Sequence, residues 1–444
     1  MGNKEDAIMV VCATLNQVVN YIGLEHYMDR YTIKQIYMIT EMASETSQNK
    51  VYKFDHATWN KNFKNEVKKI HKGTIEKIGI NQSNSIESVI DSIERELQDV
   101  DEHTTILWNM TGGQRHVIFA CEKYIENRLG VLHHATIEGQ NDRNHKNIEH
   151  KQCGRTHIRF YLEGNYTRLY ENNNYMKWES RPYQSALTLE QVLGLAGFKT
   201  RENNPRKNIL LEEGWNDAGL PSIDMIQALV KDYIKPQNKQ LRQELIQSLR
   251  KDKSKVASNI NDLKLFEYKD DVNQRQKKKN FGHLLEYMTL YCIYEYIMAN
   301  NIAHFVDLRH SLNVNRYGSN EKTNNRNDYC EFDIILMTKS RKLFIFECKA
   351  GSMPSSTGKG RQMTVYATSG VYGTPILVTP LLSQETDMLD VSSSTKNELD
   401  KDTYKYVAET TRAAKRIGLD IWFLDKIEEN MDELIKDIGK GDES

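Results

Sequence analysis

The sequence has few cysteines, almost no net charge and no long apolar run, and each absence excludes a class of protein. Its six cysteines among 444 residues show no Cys-x-x-Cys spacing, so a zinc-binding pattern is excluded and they are best explained as small buried apolar residues. A net charge of −1 excludes a globally basic field, so any nucleic-acid-binding surface must be local. No apolar run approaches the roughly 18 residues of a membrane span, and the first residues do not resemble a signal peptide. We therefore expect a cytoplasmic protein without a membrane partner.

Strands and helices follow different orders in the two ends of the chain. A length of 444 residues predicts two or three domains. Residues 1–168 alternate short apolar strands with segments of helical periodicity, which predicts an α/β domain with a doubly wound, Rossmann-like parallel sheet. Residues 276–444 are predicted to run helix, three strands, helix, strand, helix, strand, helix. Residues 169–275 are predicted to form a helical linker or insert.

The predicted elements of the N-terminal domain are strands at residues 7–13, 33–40, 105–108 and 156–162, and helices at 15–27, 59–71, 86–100 and 117–128. Within the linker, helices are predicted at residues 187–198, 223–234 and 240–249. Two runs of charge, at residues 251–255 and 275–279, are predicted to be a solvated face. The alternative for these runs is a surface that follows a phosphate backbone.

A polar loop with two glycines follows the predicted strand 105–108 and precedes a helix. In α/β folds such a loop presents free backbone N–H groups to a phosphate at the carboxyl edge of the sheet. A cation in the first helical turn, here Arg115, opposes the helix dipole unless an anion is bound nearby. Neither GxxxxGK[ST] nor GxGxxG occurs, so an ATP-binding P-loop and a nicotinamide cofactor are not indicated. The candidate ligand-binding residues are Thr14 and Asn16 after the first strand, with Asn109, Thr111, Gly112, Gly113, Gln114 and Arg115 in the loop.

A group of charged residues interrupts two otherwise apolar strands near the C-terminus. Glu331 and Asp333 lie in the predicted strand 329–337, and Glu347 and Lys349 in the predicted strand 342–350. Side chains alternate faces along a strand, so each pair shares a face, and the short connection 338–341 predicts a hairpin that brings them together. Buried carboxylates need a compensating ion, and oxygen ligands suit Mg²⁺ or Mn²⁺. This pattern predicts a metal-dependent phosphodiesterase site.

Simpler explanations exist for both patterns. The C-terminal pair of strands is alternatively an edge hairpin with solvated charges. The alternative for the glycine loop is a plain tight turn. The alternative for Thr14 is that it only caps the following helix.

Both segments resemble a known combination of domains. The segment from Asn109 to Arg115 resembles the nucleotide-sensing motif of CARF domains, the Rossmann-like modules of type III CRISPR accessory proteins. It departs from that motif at Gln114, Arg115 and His116, where a small hydroxyl residue, a lysine and a methionine are usual. Residues 276–380 resemble the PD-(D/E)xK nuclease core, in which a helix glutamate precedes the strand acids. Here Glu286 matches that glutamate, with Leu284 in place of a usual tryptophan.

The PD-(D/E)xK resemblance implies a role for each candidate catalytic residue. Asp333 and Glu347 would hold the metal, with the backbone carbonyl of Cys348 as a further ligand, and Glu286 would complete the shell or bind a second ion. Lys349 would hold or deprotonate the attacking water, and Glu331 would orient Lys349 or a water. Gln362 on the next helix would hold the scissile phosphate or a water. The loop 351–361 is predicted to be a mobile flap over the phosphodiester. The candidate catalytic residues are Glu286, Glu331, Asp333, Glu347, Lys349 and Gln362.

Together the two resemblances imply a ligand-gated nuclease of type III CRISPR antiviral defence. A homodimer would bind one cyclic oligoadenylate, most simply cyclic tetra-adenylate, between paired N-terminal domains, because a twofold ring matches an isologous interface. The paired C-terminal restriction-endonuclease-like domains would then cut single-stranded DNA or RNA, or supercoiled or duplex DNA, with Mn²⁺ or Mg²⁺. Two alternatives remain at this point: a restriction or repair endonuclease that needs no ligand, and a CARF-type transcriptional regulator.

Overall fold

The chain folds into two compact units, each with its own mixed or parallel β-sheet. A computed structural model describes residues 4–41, 56–80, 85–129, 156–179, 185–242, 267–278, 281–316, 330–385 and 410–439, apart from short breaks within these ranges. The first unit comprises residues 1–185 with 194–197 and the last four residues, and the second comprises 186–193 and 198–440. The α/β architecture predicted from the sequence is confirmed. None of the described helices is long and apolar enough to cross a membrane.

The first unit contains a seven-stranded sheet of order β3-β2-β1-β4-β5-β6-β7. Strands β1 to β5 are parallel, and β6 and β7 add antiparallel to that edge. The strands are β1 Glu5–Cys12, β2 Tyr31–Glu41, β3 Thr74–Ile80, β4 Thr105–Asn109, β5 His157–Glu163, β6 Tyr166–Glu171 and β7 Asn174–Glu179. The helices are α1 Val18–Met28, α2 His56–Ile70, α3 Ile86–Leu97 and α4 Arg115–Leu129.

Helices cover both faces of this sheet, and β1 is therefore buried on both sides. The side chains of Ile8, Val10 and Cys12 pack with α3 and α4 in one apolar cluster. On the opposite face, Tyr27 of α1 stacks on Phe160 of β5 with ring centroids 4.4 Å apart. Strands buried on both faces are near-continuous apolar runs, which is why the sequence predicted β1 and β4 correctly. The doubly wound prediction is therefore confirmed for β1 to β5.

Two features of this sheet were not predicted. Strand β3 was missed because it is an edge strand whose sequence is half polar, and only Ile78 and Ile80 of its residues are buried. The predicted strand 156–162 was expected to close the sheet, but β6 and β7 extend it further.

The second unit contains a six-stranded sheet of order β15-β14-β13-β12-β11-β8. Neighbouring strands are antiparallel from β8 through β11 and β12 to β13. Strands β13, β14 and β15 are parallel. The strands are β8 Phe198–Thr200, β11 Phe305–Arg316, β12 Cys330–Thr338, β13 Leu343–Cys348, β14 Gly373–Thr379 and β15 Asp420–Phe423, with a separate pair, β9 Glu267–Asp270 and β10 Arg275–Lys278. The helices are α5 Leu189–Leu195, α6 Gly214–Asp217, α7 Ile223–Tyr233, α8 Phe281–Ala299, α9 Ser355–Ser369 and α10 Ile427–Gly439.

The element order predicted for residues 276–444 is confirmed. Helix α8 precedes strands β11 to β13, helix α9 connects β13 to β14, and residues 410–416 are helical before β15 and α10. One face of the sheet, with Ile334, Leu336 and Phe346, packs in an apolar cluster with α8. The other face carries α9.

The prediction of helices within residues 169–275 is confirmed in part, because α5 lies within the predicted helix 187–198 and α7 within the predicted helix 223–234. The prediction that these residues form a helical linker is wrong in the part of the segment that the structure describes. Strands β6 and β7 belong to the first sheet and β8 to the second, while α7 packs against α8. The Tyr233 hydroxyl at the end of α7 donates to the carbonyl of Pro380 over 2.6 Å. Such apolar and hydrogen-bonded contacts make α7 part of the second unit. Most of the predicted helix 240–249 and the charge run 251–255 lie outside the described residues, while residues 275–278 of the other run form β10.

Candidate functional site

In the first unit, the glycine loop lies at the point where the strand order reverses. Strands β2 and β3 lie on one side of β1, and β4 lies on the other, so the carboxyl ends of β1 and β4 border a crevice of the kind that binds ligands in open α/β sheets. A Cβ at Gly112 would lie 3.0 Å from Val19 Cγ2, at the start of α1. Gly113 has φ +129°, and a Cβ there would lie 2.5 Å from Cys12 Cβ. Both glycines therefore let the loop lie directly against the end of β1.

A chain of buried amides lies beneath this crevice. Asn109 Nδ2 donates to Asn20 Oδ1 at 3.1 Å, and Asn20 Nδ2 donates to Gln17 Oε1 at 2.7 Å. Gln17 Nε2 donates to Asn60 Oδ1 at 3.0 Å, and Asn60 Nδ2 donates to Thr40 Oγ1 at 2.8 Å. Buried polar groups of this kind are stable only when their hydrogen bonds are satisfied. The network fixes the ends of β1, β2 and β4 relative to α1 and α2.

The eight predicted ligand-binding residues divide into two groups. Asn109 and Asn16 are buried. Their side-chain Oδ1 atoms accept hydrogen bonds from the backbone N–H groups of Thr111 and Val18, respectively. They shape the loop and the start of α1, whose N-cap position is held by Gln17 and not by Thr14. The other six reach the surface around the crevice, with Arg115 exposed as the first residue of α4: Thr14, Thr111, Gly112, Gly113, Gln114 and Arg115.

In the second unit, the predicted acidic pair comes together across two strands. Strands β12 and β13 are antiparallel, and Ile334 is opposite Phe346, so Asp333 is opposite Glu347 and the two share a face. Asp333 Oδ2 accepts from the backbone N–H of Cys348 at 2.8 Å. The hairpin that was predicted to bring these two carboxylates together is therefore present.

Two cations contact one oxygen of Glu347. Lys349 Nζ lies 2.6 Å from Glu347 Oε1, and Arg361 Nε lies 3.4 Å from the same atom. The sequence prediction did not include Arg361 as a site residue. It also placed residues 355–361 in a mobile flap, which is wrong, because they form the first half of α9.

The electrostatics of this cluster follow from its burial. Burial raises the pKa of Asp333, and the nearby charges of Glu347 and Glu286 raise it further, to about 8. Burial alone would lower the pKa of Lys349, but Glu347 and Asp333 raise it above its ordinary value. Lys349 is therefore a charged ammonium at neutral pH, suited to hold an anion or water rather than to remove a proton. Burial, with Asp333 and Glu286, also raises the pKa of the Cys348 thiol.

The remaining predicted residues lie around this pair. Glu286 of α8 is largely buried and contacts His310, which the sequence prediction missed. Glu331 is exposed on β12. Gln362 lines a pocket of about 400 Å³ together with Glu347 and Arg361, and its Nε2 lies 3.5 Å from the Tyr366 hydroxyl.

The donor chemistry of the cluster suits a hard divalent cation. Burial and the charges of Glu347 and Glu286 raise the pKa of Asp333, and a cation beside these carboxylates would relieve that repulsion. Among the residues that the structure describes, no three His, Cys, Asp or Glu side chains are already gathered as a metal-binding group. Glu286, Asp333 and Glu347 fit a hard divalent cation by the chemistry of their oxygen donors.

The raised pKa of Asp333 predicts a pH effect on the metal-free protein. Its folded-state pKa is about 8 and its unfolded value about 3.9, so the folded state binds the extra proton between these values. The free energy of unfolding contributed by protonated Asp333 is therefore fully present below about pH 4 and is lost as pH rises through about 8. The loss is up to about 1.4 kcal/mol per pH unit. In EDTA, we expect Asp333→Asn to become progressively more stable than the wild type as pH rises from 5 to 8.5. Urea unfolding at several pH values measures this difference.

The control for this experiment is Asp420→Asn, which changes an exposed carboxylate at the start of β15. Its unfolding free energy should follow that of the wild type across the whole range. If the free energy of unfolding of Asp333→Asn also runs parallel to that of the wild type across this pH range, the carboxyl group of Asp333 is not buried beside Glu347 and Glu286.

Comparisons with known proteins give a fold and no family. The crystal structure of protein VC1899 from Vibrio cholerae is similar over 97% of this chain and 98% of that chain, with a TM-score of 0.55 and 14% sequence identity. Csm6 of Enterococcus italicus, bound to cyclic hexa-2'-fluoro-hexa-dAMP, aligns over 98% of this chain and 92% of that chain with 11% identity. Its TM-score of 0.24 is too low to show a shared fold. No family model matches the sequence, and no curated relative matches it.

Proposed function

We propose that the second unit is a metal-dependent nuclease of the PD-(D/E)xK kind. The observation that carries this proposal is Asp333 opposite Glu347 on neighbouring strands, with Lys349 Nζ 2.6 Å from Glu347 Oε1. The helix, three strands, helix and strand around them occur in the order of the core that the sequence resembles. A buried site with a strongly perturbed carboxyl pKa is a functional-site candidate on physical grounds.

Glu286, Asp333, Glu347 and the carbonyl of Cys348 would hold Mn²⁺ or Mg²⁺. Such an ion, when bound, polarises a phosphoryl oxygen and makes water a better nucleophile at neutral pH. The chain's own cations act on the phosphate: the Lys349 ammonium stabilises the negative charge that develops on its oxygens. Arg361, with two parallel donors, and Gln362 orient the phosphodiester beside Glu347.

We propose that the crevice of the first unit binds a cyclic oligoadenylate, most simply cyclic tetra-adenylate, and that this ligand activates cleavage in type III CRISPR defence. The glycine loop at the β1–β4 switch point and the N-terminus of α4 are suited to a phosphate. Arg115 adds a cation at that helix end, where only a bound anion makes it favourable. A homodimer would place two such crevices around one twofold ring, and a ligand that grips both copies can favour one state of the dimer.

A cleavage panel tests this function. Single-stranded DNA, RNA, linear duplex and supercoiled DNA would each be incubated with Mn²⁺, Mg²⁺ or EDTA, with and without cyclic tetra-adenylate or cyclic hexa-adenylate. We expect cleavage that requires both the metal and one cyclic ligand. Cleavage without any cyclic ligand would favour the restriction or repair endonuclease, and no cleavage under any condition would contradict the nuclease proposal.

Arg115→Ala should weaken binding of cyclic tetra-adenylate by about 10- to 100-fold. A hydrogen bond to a charged group contributes about 1.5–3 kcal/mol, and each 1.4 kcal/mol is a factor of ten. Titration calorimetry measures the affinity, with Lys123→Ala as the control because Lys123 is an exposed cation further along α4. Unchanged affinity in Arg115→Ala would remove Arg115 from the binding site.

A further inference from the structure

A buried histidine contacts the candidate catalytic glutamate of α8. His310 Nε2 on β11 lies 3.1 Å from Glu286 Oε2, and the ring is 5% exposed. His310 is opposite Ile334, so it lies on the face of the sheet that packs against α8. Leu308, the neighbour of His310 on that face, and Ile334 opposite it are buried apolar residues of the cluster that packs with α8. A polar ring in this row therefore requires a specific partner, which Glu286 provides.

The backbone next to His310 is distorted at the level of the acidic pair. Ser311 is a buried strand residue with φ +48°, a conformation that non-glycine residues adopt only at some energetic expense. The register places His310 opposite Ile334 and Leu312 opposite Phe332, so Ser311 stands across from Asp333. Strain of this kind persists where the surrounding structure imposes it, and it is concentrated at functional sites.

The distortion gives His310 a second contact. Ser311 Oγ lies 3.2 Å from His310 Nε2, and the ring of Tyr287 lies 5.2 Å from the imidazole centroid. A hydrogen bond from His310 to a Glu286 carboxylate requires the imidazole form that carries a hydrogen on Nε2. The imidazole is held between a strained strand and the tyrosine that follows Glu286.

We propose that His310 is a positioning residue that fixes the Glu286 carboxylate for divalent-metal binding. This inference rests on the proposed nuclease function. A hydrogen-bonded partner behind a ligating side chain orients it and commonly changes metal affinity or activity 10- to 100-fold. Because Glu286 also raises the pKa of Asp333 through its charge, its orientation affects the whole carboxylate group.

Two substitutions separate positioning from packing. His310→Leu fills the space but removes the donor, whereas His310→Gln places an amide N–H near the position of Nε2. We expect His310→Leu to bind Mn²⁺ 10- to 100-fold more weakly than the wild type, as measured by calorimetry and by electron paramagnetic resonance of free Mn²⁺. The Mn²⁺ concentration that gives half-maximal cleavage should rise by the same factor, and His310→Gln should recover most of both losses.

The control is His304→Leu, a partly exposed histidine just before β11, which should bind Mn²⁺ like the wild type. Wild-type Mn²⁺ affinity in His310→Leu would overturn the inference while leaving the nuclease proposal intact. An equal loss in His310→Leu and His310→Gln would show that the ring acts by packing, and would overturn it too. Absence of Mn²⁺ binding by the wild type would instead overturn the nuclease proposal, and the inference with it.

Discussion

Replacing Glu347 with glutamine should lower the rate of ligand-activated cleavage by about 10³-fold or more. The substitution keeps the size of the side chain but removes the charge that a divalent cation and Lys349 both require. A metal ion contributes several kcal/mol to transition-state stabilisation, and about 4 kcal/mol corresponds to a factor of 10³ in rate. Because Lys349 Nζ lies 2.6 Å from Glu347 Oε1, the variant also leaves the ammonium without its principal counter-charge.

The same variant should bind cyclic tetra-adenylate with an affinity within a few-fold of the wild type, because Glu347 belongs to the second unit and the crevice to the first. Single-turnover cleavage with saturating Mn²⁺ measures the rate, and calorimetry measures the affinity. The control is Glu433→Gln, which changes an exposed carboxylate on α10. Loss of cleavage and of ligand binding together would mean that Glu347 acts by stabilising the fold.

Replacing Arg242 with methionine should lower the free energy of unfolding of the second unit by about 3–5 kcal/mol. Arg242 is 2% exposed and Glu385 6%. Arg242 Nη2 lies 2.7 Å from Glu385 Oε1, and its Nη1 donates to the carbonyls of Tyr233 and Lys235. Removing one partner of a buried ion pair leaves an uncompensated charge in the interior, which is the source of the large effect.

The double variant Arg242→Met, Glu385→Met should be more stable than Arg242→Met alone, because no buried charge is then left without its partner. Urea unfolding of the two single variants and the double variant measures the coupling. The control is Lys207→Met, which removes the exposed ion pair with Asp217 and should change stability by less than about 1 kcal/mol. A similarly small effect for Arg242→Met would show that Arg242 and Glu385 do not form a buried ion pair.

The acidic pair was predictable because its signal is local. Charges at alternate positions in strands that are otherwise apolar, joined by a short polar connection, fix both the face and the register of Asp333 and Glu347. The glycine loop was predictable for a similar reason, since its glycines follow a fully buried strand. Whether Asn109 and Asn16 point inwards was not predictable, because their partners Asn20 and Val18 are set by the packing of α1.

Arg361 was missed because the sequence around it is rich in glycine and serine, which disfavour a helix. The structure gives the physical reason for one of these glycines. A Cβ at Gly358 would lie 2.9 Å from Ile417 Cδ1, so close packing against the turn that follows helical residues 410–416 favours glycine within α9. Tertiary packing therefore overrides local propensity here, and it brings Arg361 to within 3.4 Å of Glu347 Oε1.

His310 carried no sequence signal beyond a polar residue at a buried position of a strand. Its partner Glu286 is 24 residues earlier on α8, so the contact is set by the packing of α8 on the sheet. The segment 169–275 was predictable only in part, since α5 and α7 fall within predicted helices. Its helices have ordinary amphipathic patterns, and only tertiary contacts such as Tyr233 with Pro380 assign them to the second unit.

The most direct test of the central claim is a diffraction experiment on crystals soaked in Mn²⁺, with anomalous data collected at the manganese edge. We expect an anomalous peak coordinated by Asp333 and Glu347, with Glu286 directed toward it, and no such peak in crystals of Glu347→Gln. A fully soaked wild-type crystal without a peak between these two carboxylates would contradict it.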